Sequence, residues 1–473
     1  MKFRILVMAT AFLSAVSLYA QTSNDALRLS DPGNLSSARA LGMGNSLSSA
    51  GNDFSSMFLN PAGPALFDNS ELTISGYNNN LKNDATYYGN TLSNSKNSTD
   101  FSQIGLVYKF PVSRGSFVLG VGYNKSKDFN RILQFNGFNF GTTSMIQDLT
   151  SKNSDFAYQA GVSFAGASND STLIRGKLQQ SGLIENDGGV NSWSVGFATE
   201  LQKDLFIGGS LNILNGSFTS KKNYYESDPY KNYFALQLDP TDANTKGFDM
   251  FSYYDRIAWD ISGWDAKLGF IYKLKDKGTI GAAINFPRYF TIKEDYTLSS
   301  IGDFTTTRYL SDVGNSSYEY KIRTPFEFSF GGSYNLEGLL LAADVKYIDY
   351  TQMEFTDGLT FADRSNLNDG IKTDYRAVLN YNIGAEYTVP NLGMKVRAGF
   401  MMMKSPYKDD PSEYDKKFIT AGIGVPFEQI ELNAALAYGW WKDYGYQYQS
   451  ADTPVYQDLK STTIMFTVKY LIF

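Results

Sequence analysis

Cysteine and histidine are both absent from the 473-residue chain. Without cysteine there are no disulfides and no thiol chemistry. Without either residue there is no Ser-His-Asp triad and no imidazole or thiolate metal site. A haem held by a proximal His or by Cys is excluded as well. Beyond the N-terminus no apolar run is long enough for a transmembrane helix, and the mean hydropathy is -0.28. An excess of basic residues is missing too. The formal net charge is -6, so no nucleic-acid-binding patch is expected. Carboxylate-only chemistry survives these exclusions, but no local acidic pair stands out, and no enzyme activity, metal or cofactor is expected.

What the chain has in excess is aromatic residues, 33 Tyr and 34 Phe, 15% with Trp. They fall in alternating segments. From 318 to 334 the even positions carry Tyr318, Tyr320, Ile322, Phe326, Phe328, Phe330 and Tyr334. The odd positions carry Glu319, Lys321, Arg323, Pro325 and Glu327. A period of two over that span is a strand signal, and a strand in a soluble domain has only about 5 or 6 residues. Long strands with one aromatic and one charged face predict a barrel wall between lipid and water, which hydropathy does not reveal because alternate residues are polar. Pro325 predicts a bulge or break inside this run.

Three regions follow. Residues 1–20 have Lys2 and Arg4, an apolar stretch from Ile5 to Tyr19, and Ser17-Leu18-Tyr19-Ala20. This is the pattern of a signal peptide cleaved after Ala20. Residues 21–69 lack period-two alternation. Helical turns are expected within 35–50 and 52–59, ended by Asn60-Pro61-Ala62-Gly63-Pro64. Leu41, Met43, Met57, Phe58, Leu66 and Phe67 provide more apolar surface than a linker needs, so an ordered segment ahead of the barrel is predicted.

Residues 70–473 hold about fourteen alternating segments. They fall near 70–82, 100–110, 115–127, 191–203, 204–218, 257–274, 278–296, 314–335, 339–355, 372–389, 393–405, 414–427, 429–448 and 460–473. Short connections alternate with long ones, the long ones at 83–99, 141–190, 219–256, 297–313, 356–371, 406–413 and 449–459. This asymmetry predicts periplasmic turns at one end and extracellular loops at the other. Leu341, Val345 and Tyr347 are assigned to lipid, and Asp344 and Lys346 to the lumen. Ile257, Trp259 and Ile261 fall out of phase with Trp264, Leu268 and Phe270, which predicts a bulge near Gly263. The last residue is Phe473, with Phe466, Val468, Tyr470 and Ile472 out of phase with it.

Several motifs then resemble one family. Ser37-Ala38-Arg39-Ala40-Leu41-Gly42-Met43-Gly44 is followed by Asn60-Pro61-Ala62-Gly63. Further on come Pro325 to Gly332, Ala342 to Tyr350, Asn382 to Tyr387, Lys395 to Phe400 and Lys404-Ser405-Pro406. In order and spacing these are similar to the FadL family of outer-membrane transporters of long-chain fatty acids and other hydrophobic compounds. The likeness is weakest from about 125 to 260.

The resemblance implies a transmembrane antiparallel β-barrel of fourteen strands plugged by an N-terminal hatch. It implies passive, ligand-gated uptake of hydrophobic small molecules, with lateral release into outer-membrane lipid through a gap made by a kinked third strand. Here that strand includes Gly115, Gly120 and Gly122, the candidate kink, since glycine weakens a strand. Asn60, Pro61, Ala62 and Gly63 match the hatch motif and are candidates for gating; the plainer reading is a helix stop. Arg323, Lys346, Arg376, Lys395 and Arg397 are expected to face the lumen. There they meet a ligand carboxylate, or else pair with Glu319, Glu327, Asp344 or Glu386. Met401 and Met403 line an apolar pocket or pack against the hatch. A monomer without nucleic-acid partners is expected.

Two other readings stay open. One is a general porin for small solutes. The other is a surface receptor or adhesin, including a haemin-receptor-like role, using the loops near 141–190 and 219–256 with Tyr224, Tyr225, Tyr230, Tyr233 and Phe234.

Overall fold

The computed structural model describes residues 21–33, 36–275 and 277–472. The expected signal peptide at 1–20 and the terminal Phe473 lie outside the described residues. The described residues form fourteen strands: β1 (Ser70–Tyr87), β2 (Asn90–Phe110), β3 (Phe117–Asp128 and Arg131–Phe138), β4 (Gln179–Gln202), β5 (Leu205–Ser227), β6 (Phe248–Leu274), β7 (Gly278–Asn285 and Tyr289–Phe304), β8 (Arg308–Leu310, Gly314–Arg323 and Glu327–Leu336), β9 (Leu339–Asp349 and Glu354–Asp357), β10 (Ala377–Thr388), β11 (Lys395–Met403), β12 (Lys416–Phe427), β13 (Ile430–Gly445) and β14 (Val455–Ile472). Each pairs antiparallel with its neighbour in sequence. β1 pairs with β14 from Ser70↔Ile472 to Thr86↔Tyr456, so the sheet closes on itself.

Alternation gives the wall its two faces. On β5, Leu211 and Ile213 project outward at 61% and 68% exposure while Asn212 and Leu214 are buried. Above Ile213 the outward positions become Asn215 and Ser217. The apolar band therefore ends there, and the remaining residues of this 23-residue strand rise beyond it. An apolar band of ~25 Å needs only about 9–11 tilted residues.

Several connections are shorter than expected. The stretch 83–99 belongs to β1 and β2, joined by a two-residue turn in which Tyr88 and Gly89 have φ of 46° and 80°. Two positive φ values in succession suit a tight hairpin whose twist matches the strands. The stretch 297–313 is largely strand of β7 and β8. Tyr224 and Tyr225 stand on β5 rather than in a loop, and Tyr224 is buried.

Two face assignments change. β6 itself does not bulge near Gly263: it keeps one register with β5 from Met250 to Tyr272, and the extra residue beside it lies on β7, between the pairs Trp264↔Tyr289 and Lys267↔Asn285. Trp259 and Ile261 are buried inside the barrel, so the phase slip marks a greasy stretch of lumen. The run 318–334 is likewise two segments. At Thr324-Pro325-Phe326 the ladder breaks beside Phe286-Pro287-Arg288 of β7, because proline has no N–H to donate. Thr324 N bonds Arg288 O at 3.0 Å and Arg288 N bonds Thr324 Oγ1 at 2.9 Å. Across that break the inward phase switches, from Tyr320 and Ile322 above to Glu327 and Ser329 below.

Among the described residues of the N-terminal segment, Ala26, Leu29, Ala38, Leu41, Phe54, Met57, Ala62 and Phe67 pack against the inner face of the wall. The segment includes α1 (Ser23–Ser30), α2 (Ala38–Gly42), α3 (Ser56–Leu59) and a 3₁₀ turn over Gly63–Leu66. Ser37 caps α2 by accepting from Ala40 N at 3.0 Å. At the opposite end, α4 (Met145–Ser151) and α5 (Asp155–Gln159) of the long β3–β4 connection pack over the mouth. Met145, Ile146 and Leu149 meet Tyr87, Phe135, Tyr224, Phe248 and Tyr448 there in one apolar cluster.

Candidate functional site: a plugged lumen and a break in the wall

The plug is seated on the wall by close backbone approach. A Cβ on Gly105 or Gly122 would overlap the ring of Phe54, and one on Gly120 would lie 2.8 Å from Met57 Sδ. A Cβ on Gly399 or Gly384 would strike the main chain at Met43–Gly44, and one on Gly281 the carbonyl of Ser48. Bare backbone at these positions lets the plug's main chain sit directly against the strands.

The Asn60-Pro61-Ala62-Gly63 motif belongs to this seat. Asn60 is fully buried. Its Nδ2 donates to Ser48 O at 2.6 Å and to Phe270 O of β6 at 3.1 Å, and its Oδ1 accepts from Ala62 N at 3.1 Å. Gly208 and Gly269 leave the space that Pro61 and Asn60 occupy.

Charge fixes the lower plug. Arg39 of α2 grips Glu386 of β10 with two bonds, 2.9 Å from Nε and 3.0 Å from Nη2. Arg397 of β11 reaches the same carboxylate at 2.6 Å and Asn433 at 2.7 Å. Lys395 pairs with Glu431 at 3.0 Å and Lys346 with Glu327 at 3.2 Å. Three of the five cations singled out from the sequence are thus held by carboxylates on the lumen side of the wall. Arg376 instead donates to the carbonyls of Ser405 and Lys408, each at 3.2 Å. Arg323 does not face the lumen. It pairs with Glu354 across β8 and β9 on the outer side, because the break at Pro325 reverses the phase. Met401 is buried beside Ala38 and Leu41 of α2, and Met403 packs on the same cluster.

Above this level the lumen is largely apolar, with Glu294 buried in it as the acceptor of Gln21, Trp259 and Tyr320. Ala26 and Leu29 of α1 pack against Leu214, Phe218, Trp259, Ile261, Ile292 and Ile322. The guanidinium of Arg28 lies 4.2 Å over the Phe218 ring and 5.1 Å from that of Trp259. Two cations, the buried Lys127 and the half-buried Arg288, meet the C-terminal carbonyls of α1: Lys127 Nζ donates to Arg28 O at 2.8 Å, and Arg288 to Ser30 O at 3.4 Å. That is the end of a helix where cations are favoured.

The wall is interrupted beside α1. The β2–β3 ladder runs from Phe110↔Phe117 up to Gln103↔Asn124 and no further among the described residues. β3 then bulges between Lys125 and Lys127. It breaks at Phe129–Asn130 and resumes as Arg131–Phe138, paired with β4 only. This upper segment crosses the inner face of the barrel. Asn83 of β1 donates to Ile132 O at 2.8 Å, and Arg131 reaches Gln457 of β14 at 2.8 Å.

Side chains span the resulting gap. Lys125 pairs with Asp100, and Asp128 accepts from Tyr77 and Ser98, each at 2.7 Å. The kink therefore lies above the three glycines first considered. Gly115 sits in the β2–β3 turn at φ 72°, while Gly120 and Gly122 stand in unbroken ladder against the plug. On the outer side of Gly105 and Gly122 is a groove of about 460 Å³ lined by Leu72, Phe101, Ile104, Val121 and Trp193.

The long-loop end holds a fully buried carboxylate beneath α4. Glu226, on β5 beyond the apolar band, accepts from Met145 N at 2.8 Å, Ile146 N at 3.3 Å, Gln180 at 2.8 Å and Tyr224 at 3.0 Å. Burial pushes its carboxyl up to about 7 despite these four donors, which pull the other way.

Sequence reasoning found the motif around Arg39 without its ion pair. It missed Phe54, Asp100, Lys125 and Asp128, whose partners are brought together only by barrel closure.

Residues 15–470 match the family described as outer membrane protein transport protein (OMPP1/FadL/TodX). Among solved structures, the Pseudomonas putida toluene transporter TodX is similar at 15% identity and a TM-score of 0.57. The likeness covers 92% of this chain and 98% of that one. A Pseudomonas aeruginosa FadL homologue gives the same identity, TM-score and coverage. The Ralstonia pickettii toluene transporter TbuX is similar at 15% identity and a TM-score of 0.51, over 93% of this chain and all of that one. No curated protein sequence matches. The closed fourteen-stranded barrel and a match over nearly the whole chain lead to one conclusion: the protein belongs to the outer membrane protein transport family (OMPP1/FadL/TodX), and it resides in the bacterial outer membrane.

Proposed function

We propose that the protein is a passive outer-membrane channel for hydrophobic compounds such as long-chain fatty acids. In this reading it releases them sideways, through the gap between β2 and the kinked β3, into the bilayer. The observation that carries the reading is a contrast within one molecule. The axial route is filled by a plug seated on wall glycines and held by the Arg39–Glu386 pair, while the ladder beside α1 stops at Gln103↔Asn124. A seated plug argues against a wide general porin.

Sideways release has a physical rationale. A fatty acid entering water exposes its chain at ~0.8 kcal/mol per CH₂, and delivery into lipid avoids that. Solved relatives named as monoaromatic hydrocarbon channels suggest that small aromatics belong to the same ligand class. The Asn60 motif is proposed to hold the plug in its resting position, and each barrel, carrying its own plug, to act as a monomer.

The gap is testable because the chain has no cysteine. Ser98→Cys with Asp128→Cys places the only two thiols where Ser98 Oγ and Asp128 Oδ2 are 2.7 Å apart. Oxidation should block uptake of radiolabelled oleate by cells carrying this variant, and reductant should restore it. Equal uptake by the oxidised and reduced forms would sink lateral release.

A further inference from the structure

We infer that the foot of the wall gap is a binding site for a neutral polar head group, a hydroxyl, amide or protonated carboxyl, on an otherwise hydrophobic molecule. The inference rests on the lateral-channel reading above and specifies the chemistry of its exit.

Gln103 and Asn124 are the last opposed pair of the β2–β3 ladder and share its inner face. Ser102 is the extra residue of a bulge on β2, between the pairs Ser75↔Gln103 and Gly76↔Phe101. All three are at least nine-tenths buried, at 0%, 5% and 0% exposure for Gln103, Asn124 and Ser102. Yet Gln103 Nε2, Asn124 Oδ1 and Ser102 Oγ have no partner. Buried polar atoms are rarely left unpaired in folded proteins, and here three gather where the ladder ends. The amide of Gln103 is held by its other end: its Oε1 accepts from Ser55 Oγ of the plug at 3.0 Å.

One open donor, one open acceptor and one hydroxyl complement a group that both donates and accepts. The surroundings do not select an anion, because Lys125 is paired with Asp100 and Lys127 is turned to the Arg28 carbonyl. The outer groove reaches this level of the same strands, where Phe101, Ile104 and Tyr123 line it beside Gln103 and Asn124. A head group at Gln103 and Asn124 thus leaves an attached chain next to apolar wall. An alcohol satisfies both halves of the site; a bare hydrocarbon satisfies only the groove.

The test is accumulation of radiolabelled 1-decanol against decane in cells expressing the full chain, with Gln103→Met and Ser102→Ala as separate variants. Barrel folding is checked by the heat-dependent shift on gels. We expect decanol uptake to fall about tenfold, the effect of one to two lost hydrogen bonds, with decane uptake within twofold of the parent. Equal loss of both would show that these side chains only support the fold, and no loss of either would show that the site holds water alone; both results overturn the inference. A parent protein that imports neither compound overturns the channel reading instead. Native mass spectrometry of the purified protein then decides the site by itself: decanol binding lost in Gln103→Met supports it, and unchanged binding overturns it.

Discussion

Phe54 of the plug lies against Gly105 of the wall, in a space that exists only because Gly105 has no side chain. Gly122, directly opposite on β3, completes the slot. Ring and slot form one joint between the plug and the strand pair whose ladder ends two residues higher.

Gly105→Ala is therefore expected to displace Phe54 without opening the barrel. Overpacking of this kind costs about 1–3 kcal/mol. Because β2 keeps its ladder on both sides here, the cost falls on the plug. Planar-bilayer recordings should show conductance bursts absent from the parent. Adding Phe54→Ala to Gly105→Ala removes the overlap and should quieten them. A silent Gly105→Ala channel would mean that the wall, not the plug, yields.

Glu386 is the one carboxylate shared by Arg39 of the plug and Arg397 of the wall. Glu386→Gln leaves two buried guanidiniums facing a neutral amide. Removing one partner of a buried ion pair costs about 3–5 kcal/mol. Protease resistance of the 21–69 segment in folded protein should fall sharply, while the heat-shift of the barrel stays. Unchanged resistance would show that the glycine seat alone retains the plug.

The cap over the long-loop end should depend on pH through Glu226. Its carboxyl lies at about 7 in the closed cap, against 4.5 when exposed. Below 4.5 both forms are protonated and the closed cap is favoured in full. Between 4.5 and 7 the open form releases a proton that the closed form keeps, so stability declines with rising pH, levelling off above 7. Hydrogen exchange at Met145 and Ile146, corrected for intrinsic rates, should be faster at pH 8 than at pH 5.5. Glu226→Gln should remove the difference.

Much of the wall is legible in the chain. Leu341 and Tyr347 face outward and Asp344 inward as their alternation implies, and fourteen segments become fourteen strands. Alternation fails where the lumen is itself apolar. Alternation places Trp259, Ile261, Tyr320 and Ile322 on apolar strand faces, yet they enclose α1. A greasy side chain satisfies an aromatic lumen as well as it satisfies lipid, so periodicity cannot tell the two apart.

What the sequence by itself determined is the period of two, the short turns, the proline break at 325 and the N-terminal segment that cannot be strand. These follow from backbone stereochemistry within a few residues. The tertiary structure alone decided which face is inside, which carboxylate each lumen cation meets, and where the wall opens. Arg39 and Glu386 are 347 residues apart, and the gap exists because one bulge at Ser102 and one break at Phe129 fall on adjacent strands. Such pairings are set by the register of a closed sheet, which depends on every strand together.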